Sequence, residues 1–175
     1  MKIILRVFVV SLALSFINCS TLSVNTDYDK SLTFSGLKTY FWLPAPRKLR
    51  DDPRVDWETL DSRVKSAVDE VLSAKGFSRL TSGEPDFLVV YNVTLDRKVI
   101  ATTLDSTHAG SRPPGWASFD YEEGTLILNI LKADTRKLMW QGRAQDEVSF
   151  VVNPEKRKEQ INKAVRLMLE DFPPA

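Results

Sequence analysis

The stretch Asp86–Leu95 constrains the fold more than any other part of the chain. Phe87, Val89, Tyr91, Val93 and Leu95 alternate along it, which places them on one face of an extended strand. Leu88 and Val90 make the opposite face partly apolar as well. A strand with apolar residues on both faces belongs in the middle of a sheet. The rest of the chain has to supply neighbours and a covering layer for it.

The neighbours are legible. A first strand is expected around Leu22–Asp29, and a second at Lys38–Leu43, whose aromatic and β-branched residues stop at Pro44 and Pro46. Gly124–Ala133 alternates Leu126, Leu128 and Ile130 against Thr125, Ile127, Asn129 and Leu131. Asp134–Lys137 reads as a hairpin turn, from which Leu138 leads into a returning strand to about Val152.

Two helices provide the cover. Trp57, Leu60, Val64, Ala67, Val68, Val71 and Leu72 recur at three- and four-residue spacing, so they share one helical face. Asp56, or Asp52 with Pro53 behind it, can cap the start, and Gly76 can end the helix. The second helix opens with Asn153 as cap and Pro154 at its first position. Its stripe is Ile161, Val165, Met168, Leu169 and Phe172, and Pro173 and Pro174 stop it. The order is β-β-α-β-β-β-α. A strand–helix–strand unit brings parallel neighbours together, and the meander after it is antiparallel. The expected fold is α+β: a single mixed β-sheet with two helices packed on one face. The segment 97–123 reads as a long loop, a feature that is often functional when it occurs.

The first residues carry an address. Lys2 and Arg6 supply positive charge at the start of an apolar stretch from Ile3 to Leu14, and Cys19, the one cysteine of the chain, follows beyond it. This is the layout of a secretory signal. The run is shorter than the roughly 20 residues a spanning helix needs. Residues 1–18 are therefore expected to be a lipoprotein signal peptide, and Cys19 the lipidated first residue of the processed chain. Residues 19–30 form a tether leading into the first strand, and 22–175 a single domain. The tripeptide Phe16-Ile17-Asn18 departs from the usual Leu-(small)-(Ala/Gly) pattern before such a cysteine. Ser20 rather than Asp after the cysteine points to the outer membrane. With its only thiol used as an anchor for acyl chains such as palmitate, the domain has no disulfide and stands on its core.

The net charge of the whole chain is +1. Lys2 and Arg6 leave with the leader, so the remainder is close to neutral and offers nothing to attract a phosphate backbone. Nucleic acid is excluded as a partner on that ground. No cofactor is called for.

Several stretches together resemble a known family. They are Val24-Asn-Thr-Asp-Tyr-Asp29, Phe34, Lys38-Thr-Tyr-Phe-Trp42, Pro85-Asp-Phe-Leu-Val-Val-Tyr91, Glu123-Gly-Thr-Leu-Ile-Leu128, Lys137-Leu-Met-Trp-Gln-Gly142 and Phe172-Pro-Pro174. In this order they resemble the bacterial envelope lipoproteins grouped as domain of unknown function 4136. Typical members carry Arg before the Gly of the last strand, where this chain has Gln141. The resemblance implies an envelope lipoprotein with an α+β domain and supplies no catalytic residues.

The chemistry-bearing residues have ordinary readings beside functional ones. Asp27 and Asp29 would share a strand face and could approach a metal, but two acids alone do not make a metal site, and turn chemistry explains them as well. His108, the only histidine, lies near Asp105, Ser106 and Ser111, yet close sequence neighbours rarely form a triad and no nucleophile elbow is present. No catalytic or metal residue is assigned. Asn92-Val-Thr94 matches a glycosylation acceptor but falls inside a strand. Trp42, Trp57 and Trp140 read as packing residues. Trp116 stands in a Gly/Pro-rich context and can serve as a partner anchor. With His108, Arg112, Phe119 and Tyr121 it forms the candidate partner-binding loop. Arg97, Lys98 and Arg112 could meet lipid phosphates or peptidoglycan acids. The expectation is a non-enzymatic outer-membrane lipoprotein, membrane-bound through its lipid, whose binding or scaffolding domain faces the periplasm and meets an envelope protein or peptidoglycan. A small-ligand binder for lipid or glycan is the alternative, and an envelope hydrolase the third.

Overall fold

A computed structural model describes residues 22–44, 55–103, 116–148 and 153–174; for 100–103 and 116–120 it describes the backbone alone. Six strands form one sheet: β1 (Ser23–Tyr28), β2 (Thr39–Trp42), β3 (Ser78–Arg79), β4 (Phe87–Thr103), β5 (Trp116–Lys132) and β6 (Leu138–Val148). Helices α1 (Trp57–Ala74) and α2 (Pro154–Met168) complete the fold. The sheet order is β1-β6-β5-β4-β2-β3. β2 pairs with β4 and β3 in parallel, and the other pairs are antiparallel. This is the α+β fold expected, a single mixed sheet with two helices. The two-residue β3 is an addition that so short a segment does not announce.

Register explains the covered face. Val89 lies opposite Ile130, and Ile130 opposite Trp140. Tyr91 lies opposite Leu128, and Leu128 opposite Gly142. Directly opposed residues share a face, and these pack against Val64, Val68, Leu72, Val165 and Met168 of the helices in one core. On the other face Leu88 is still buried, as a central strand requires.

The helix ends are made by their sequence signals. The Asp56 side chain accepts from the Thr59 amide at 3.1 Å, and that of Asn153 accepts from the Glu155 amide at 2.8 Å. Gly76 sits at φ +88° after α1. Its amide donates to Ser73 O, and that of Phe77 donates to Leu72 O. This paired closure satisfies the last carbonyls and folds Phe77 into the core. α2 stops at Met168, so Leu169 and Phe172 reach the core from the turn beyond the helix rather than from its stripe.

The segment 97–123 corrects the sequence reading. It is not one long loop. β4 continues to Thr103 and β5 starts at Trp116, paired from Arg97↔Glu122 through to Thr103↔Trp116. Only residues 104–115 of that segment lie outside the described part, and His108 and Arg112 are among them. The apolar alternation ends at Leu95; Asp96–Val99 are exposed, and a stretch of strand that buries neither face needs no apolar alternation. Cross-strand charge takes over: Arg97 opposes Glu122, and Lys98 approaches Glu123 at 3.5 Å. The leader, Cys19, the connector 45–54 and residues 149–152 also lie outside the described residues.

Candidate functional site

The core is unevenly filled. At one end Phe77, Phe87, Phe172 and Trp140 pack ring against ring, with centroids 5.4–6.0 Å apart. At the other end the same layer is lined by small or medium residues: Val93 on β4, Leu126 on β5, Ala144 on β6 and Ala164 on α2. The layers do not close there, and a cleft of about 470 Å³ opens between the sheet and the first turns of both helices. That volume falls within the range of small-molecule sites, about 300–1,000 Å³.

The walls and the rim differ in chemistry. Leu60 and Val64 of α1, Ile161 of α2 and Leu22, just ahead of β1, add apolar surface. Arg63, Arg157, Asp56, Asp146 and Glu147 bring charge of both signs. The Asp56 carboxyl is held below the usual carboxylate range, first by the Thr59 hydroxyl and then by the Thr59 amide. Both helices start at this end, β6 ends here, and the β4–β5 ribbon leaves the body here beyond Leu95 and Gly124. Cleft, ribbon and the entry of the chain therefore share one end of the domain.

Two carboxylates hold α1 on the sheet. Asp69 accepts from Tyr40 Oη at 2.7 Å, Trp42 Nε1 at 2.8 Å and Arg79 Nη1 at 3.0 Å. Burial pushes the Tyr40 phenol well above its ordinary value, and the Asp69 carboxylate adds to this. Asp61 accepts from Tyr91 Oη at 2.6 Å and from Lys65 Nζ at 2.8 Å. These are structural pins, each carboxylate being engaged by donors from its own layer or the next.

The singled-out residues separate. Tyr121 lies on the β5 part of the ribbon opposite Lys98, with Trp116 and Phe119 farther along it, opposite Thr103 and Ile100. Asp29 lies just past the end of β1 and accepts from the Ser31 hydroxyl and amide and from Lys137 Nζ. Its carboxyl is pulled far below the usual range, by Lys137 first and then by Ser31. The Asp27 carboxylate accepts from the Tyr28 amide at 2.9 Å. Asp29 makes turn contacts while Asp27 lies within β1, and no group of three metal-ligating side chains occurs among the described residues. Trp140 is buried, and Trp42 and Trp57 pack against the core. The cleft residues escaped sequence reasoning because each reads as a routine core position. The one signal was the lack of rings: aliphatic residues, Ala144 and Ala164 among them, sit where the register calls for core.

A family model described as a domain of unknown function, number 4136, matches residues 24–174. The chain belongs to that family. The family 4136 description states no activity, and no curated protein matches the chain by sequence. Among solved structures, a PDZ domain protein from Parabacteroides distasonis aligns over 94% of this chain with a TM-score of 0.56 and 13% identity. The chain spans only 39% of that protein, and the likeness is one of fold alone. The PelC dodecamer from Paraburkholderia phytofirmans aligns over 85% of this chain and 94% of its own, at TM-score 0.49 and 9% identity. A putative neuraminyllactose-binding hemagglutinin homolog from Helicobacter pylori aligns over 80% of this chain and 84% of its own, at 0.44 and 11%.

Proposed function

We propose that this family 4136 chain is a bacterial outer-membrane lipoprotein, anchored through Cys19, whose periplasm-facing domain binds and does not catalyse. The signal-like layout ahead of Cys19 supports the anchor. No helix among the described residues is long and apolar enough to cross a membrane. The observation that carries the binding role is the cleft: apolar walls, charged rim and a volume suited to a small ligand. It favours the small-ligand form of the reading, with a lipid as the ligand class, because the walls offer apolar surface rather than the stacked aromatics and polar clusters that glycans need. The ribbon bearing Trp116, Phe119 and Tyr121 is the surface for an envelope-protein or peptidoglycan partner.

The test has two arms. Cys19→Ala is expected to be mislocalised, and an unchanged outer-membrane location of this variant overturns the anchor. A fluorescent, uncharged long-chain fatty-acid ester is expected to bind the purified Cys19→Ala chain and to lose that binding when Ala164→Phe puts a ring into the cleft. Binding of equal strength with and without Ala164→Phe overturns the cleft as the site. A normal melting curve for the variant separates blockage from misfolding.

A further inference from the structure

We propose that the cleft is the seat of an acyl chain carried by this protein's own Cys19, so that the anchor folds back into the domain whenever it is out of the bilayer. This rests on the lipoprotein reading above and names the ligand of the same cleft.

Three observations lead there. The first is reach. Leu22 forms part of the cleft wall, and Cys19 precedes it by three residues. Three extended residues span at most about 11 Å, so acyl chains on that sulfur start beside the cleft. The second is shape and chemistry. The walls are lined by Leu60, Val64, Val93, Leu126 and Ile161, and apolar surface of this kind gains by removing methylenes from water. The third is the rim. Arg63 and Arg157 stand with Asp56, Asp146 and Glu147, a mixed polar edge beside which the ester and glyceryl groups of an anchor can stay hydrated while the chain is inside. A free fatty acid has a full negative charge to place at a rim of three acids against two arginines, whose balance is negative. An esterified chain has none. The electrostatics therefore favour the esterified anchor over a free acid.

The consequence is a protein with two states. With the anchor in the bilayer, the cleft is open and the domain hangs from a short tether. With the anchor in the cleft, an acyl chain is hidden from water and the protein can cross an aqueous space.

The experiment places a cysteine in the wall, Ile161→Cys, in the full-length chain. A processed lipoprotein has no other free thiol, because Cys19 is the one natural cysteine. Lipidation is confirmed first by mass. The rate of maleimide labelling at 161 is then compared, in one detergent, between the lipidated protein and its Cys19→Ala counterpart. Lys163→Cys, at an exposed position on the same helix, is the reference. Slower labelling at 161 in the lipidated form by about tenfold or more, the ratio that nine-tenths occupancy gives, with no difference at 163, is the expected result. Equal rates at 161 with the acyl chains shown present overturn self-docking and leave the anchor intact. A mass without acyl chains overturns both. Added fatty acid that protects 161 in Cys19→Ala, with no protection in the lipidated form, assigns the cleft to free lipid and also overturns self-docking. Leu60→Cys, on the opposite helix, repeats the measurement should Ile161→Cys fail to fold.

Discussion

Asp69 takes three donors from three places in the sheet layer: Tyr40, Trp42 and Arg79. The Tyr40 ring is only 1% exposed, so removing its acceptor leaves a buried hydroxyl unpaired. Asp69→Ala is therefore expected to cost about 1–3 kcal/mol, read as a drop of several degrees in melting temperature, with Asp69→Asn recovering part of it. A second residue-scale effect concerns Gly142. A Cβ there would stand 2.5 Å from the Trp140 indole and 3.0 Å from Met168 Cβ. The indole lies across a position that only glycine leaves empty. Gly142→Ala is expected to lose about 1–3 kcal/mol through overpacking, visible in chemical denaturation. Neither effect was legible in the sequence, where Asp69 is one polar residue on a helix and Gly142 a break in a strand. Both depend on contacts across layers.

At the scale of elements, β2 is joined to β4 by a carboxylate clamp as well as by ladder bonds. Asp86 Oδ2 accepts from the Lys38 amide, the Thr39 amide and the Thr39 hydroxyl, all at 2.8–2.9 Å. These bonds, the one from the Lys38 amide first, hold the Asp86 carboxyl below its ordinary value. A carboxyl lowered on folding contributes stability that is present above its unfolded value, near 3.9, and is lost as pH falls through the folded one. Asp86→Asn, which keeps an acceptor but no charge, is expected to flatten the acid limb of the stability curve below about pH 4 and to be less stable than wild type at neutral pH, where the ionised carboxylate contributes. An acid titration of unfolding checks this. The turn after α2 is a second case. Phe172 packs against Phe34, Phe77, Phe87 and Trp140 and is 1% exposed. Phe172→Ala is expected to cost about 3–5 kcal/mol, as much as a mid-core change, although the residue stands near the end of the chain. The helices, their caps and the Asp134–Lys137 turn followed from local signals. The ribbon beyond Leu95 did not, since its strands are defined by Arg97 against Glu122 and Lys98 against Glu123, and such pairings show only when the two strands are aligned.

At the scale of the whole molecule, filling one end of the core with aromatic rings and the other with small side chains produces the cleft, and the topology brings the entry of β1 and both helix starts to that end. Filling it should stabilise the domain while removing the site. Leu126→Phe is expected to raise or preserve the melting temperature and to abolish binding of an apolar probe. Loss of both properties together would mean that the position is core and not wall. Composition, periodicity and capping residues by themselves determined the order of elements, the mixed sheet, the two covering helices and the signal-like start, because each of these is written in neighbours a few positions apart. The tertiary structure alone decided the extent of the ribbon, the carboxylate pins and the cleft. These arise where residues far apart in sequence meet, and whether they fill the space between the layers depends on the sum of their volumes.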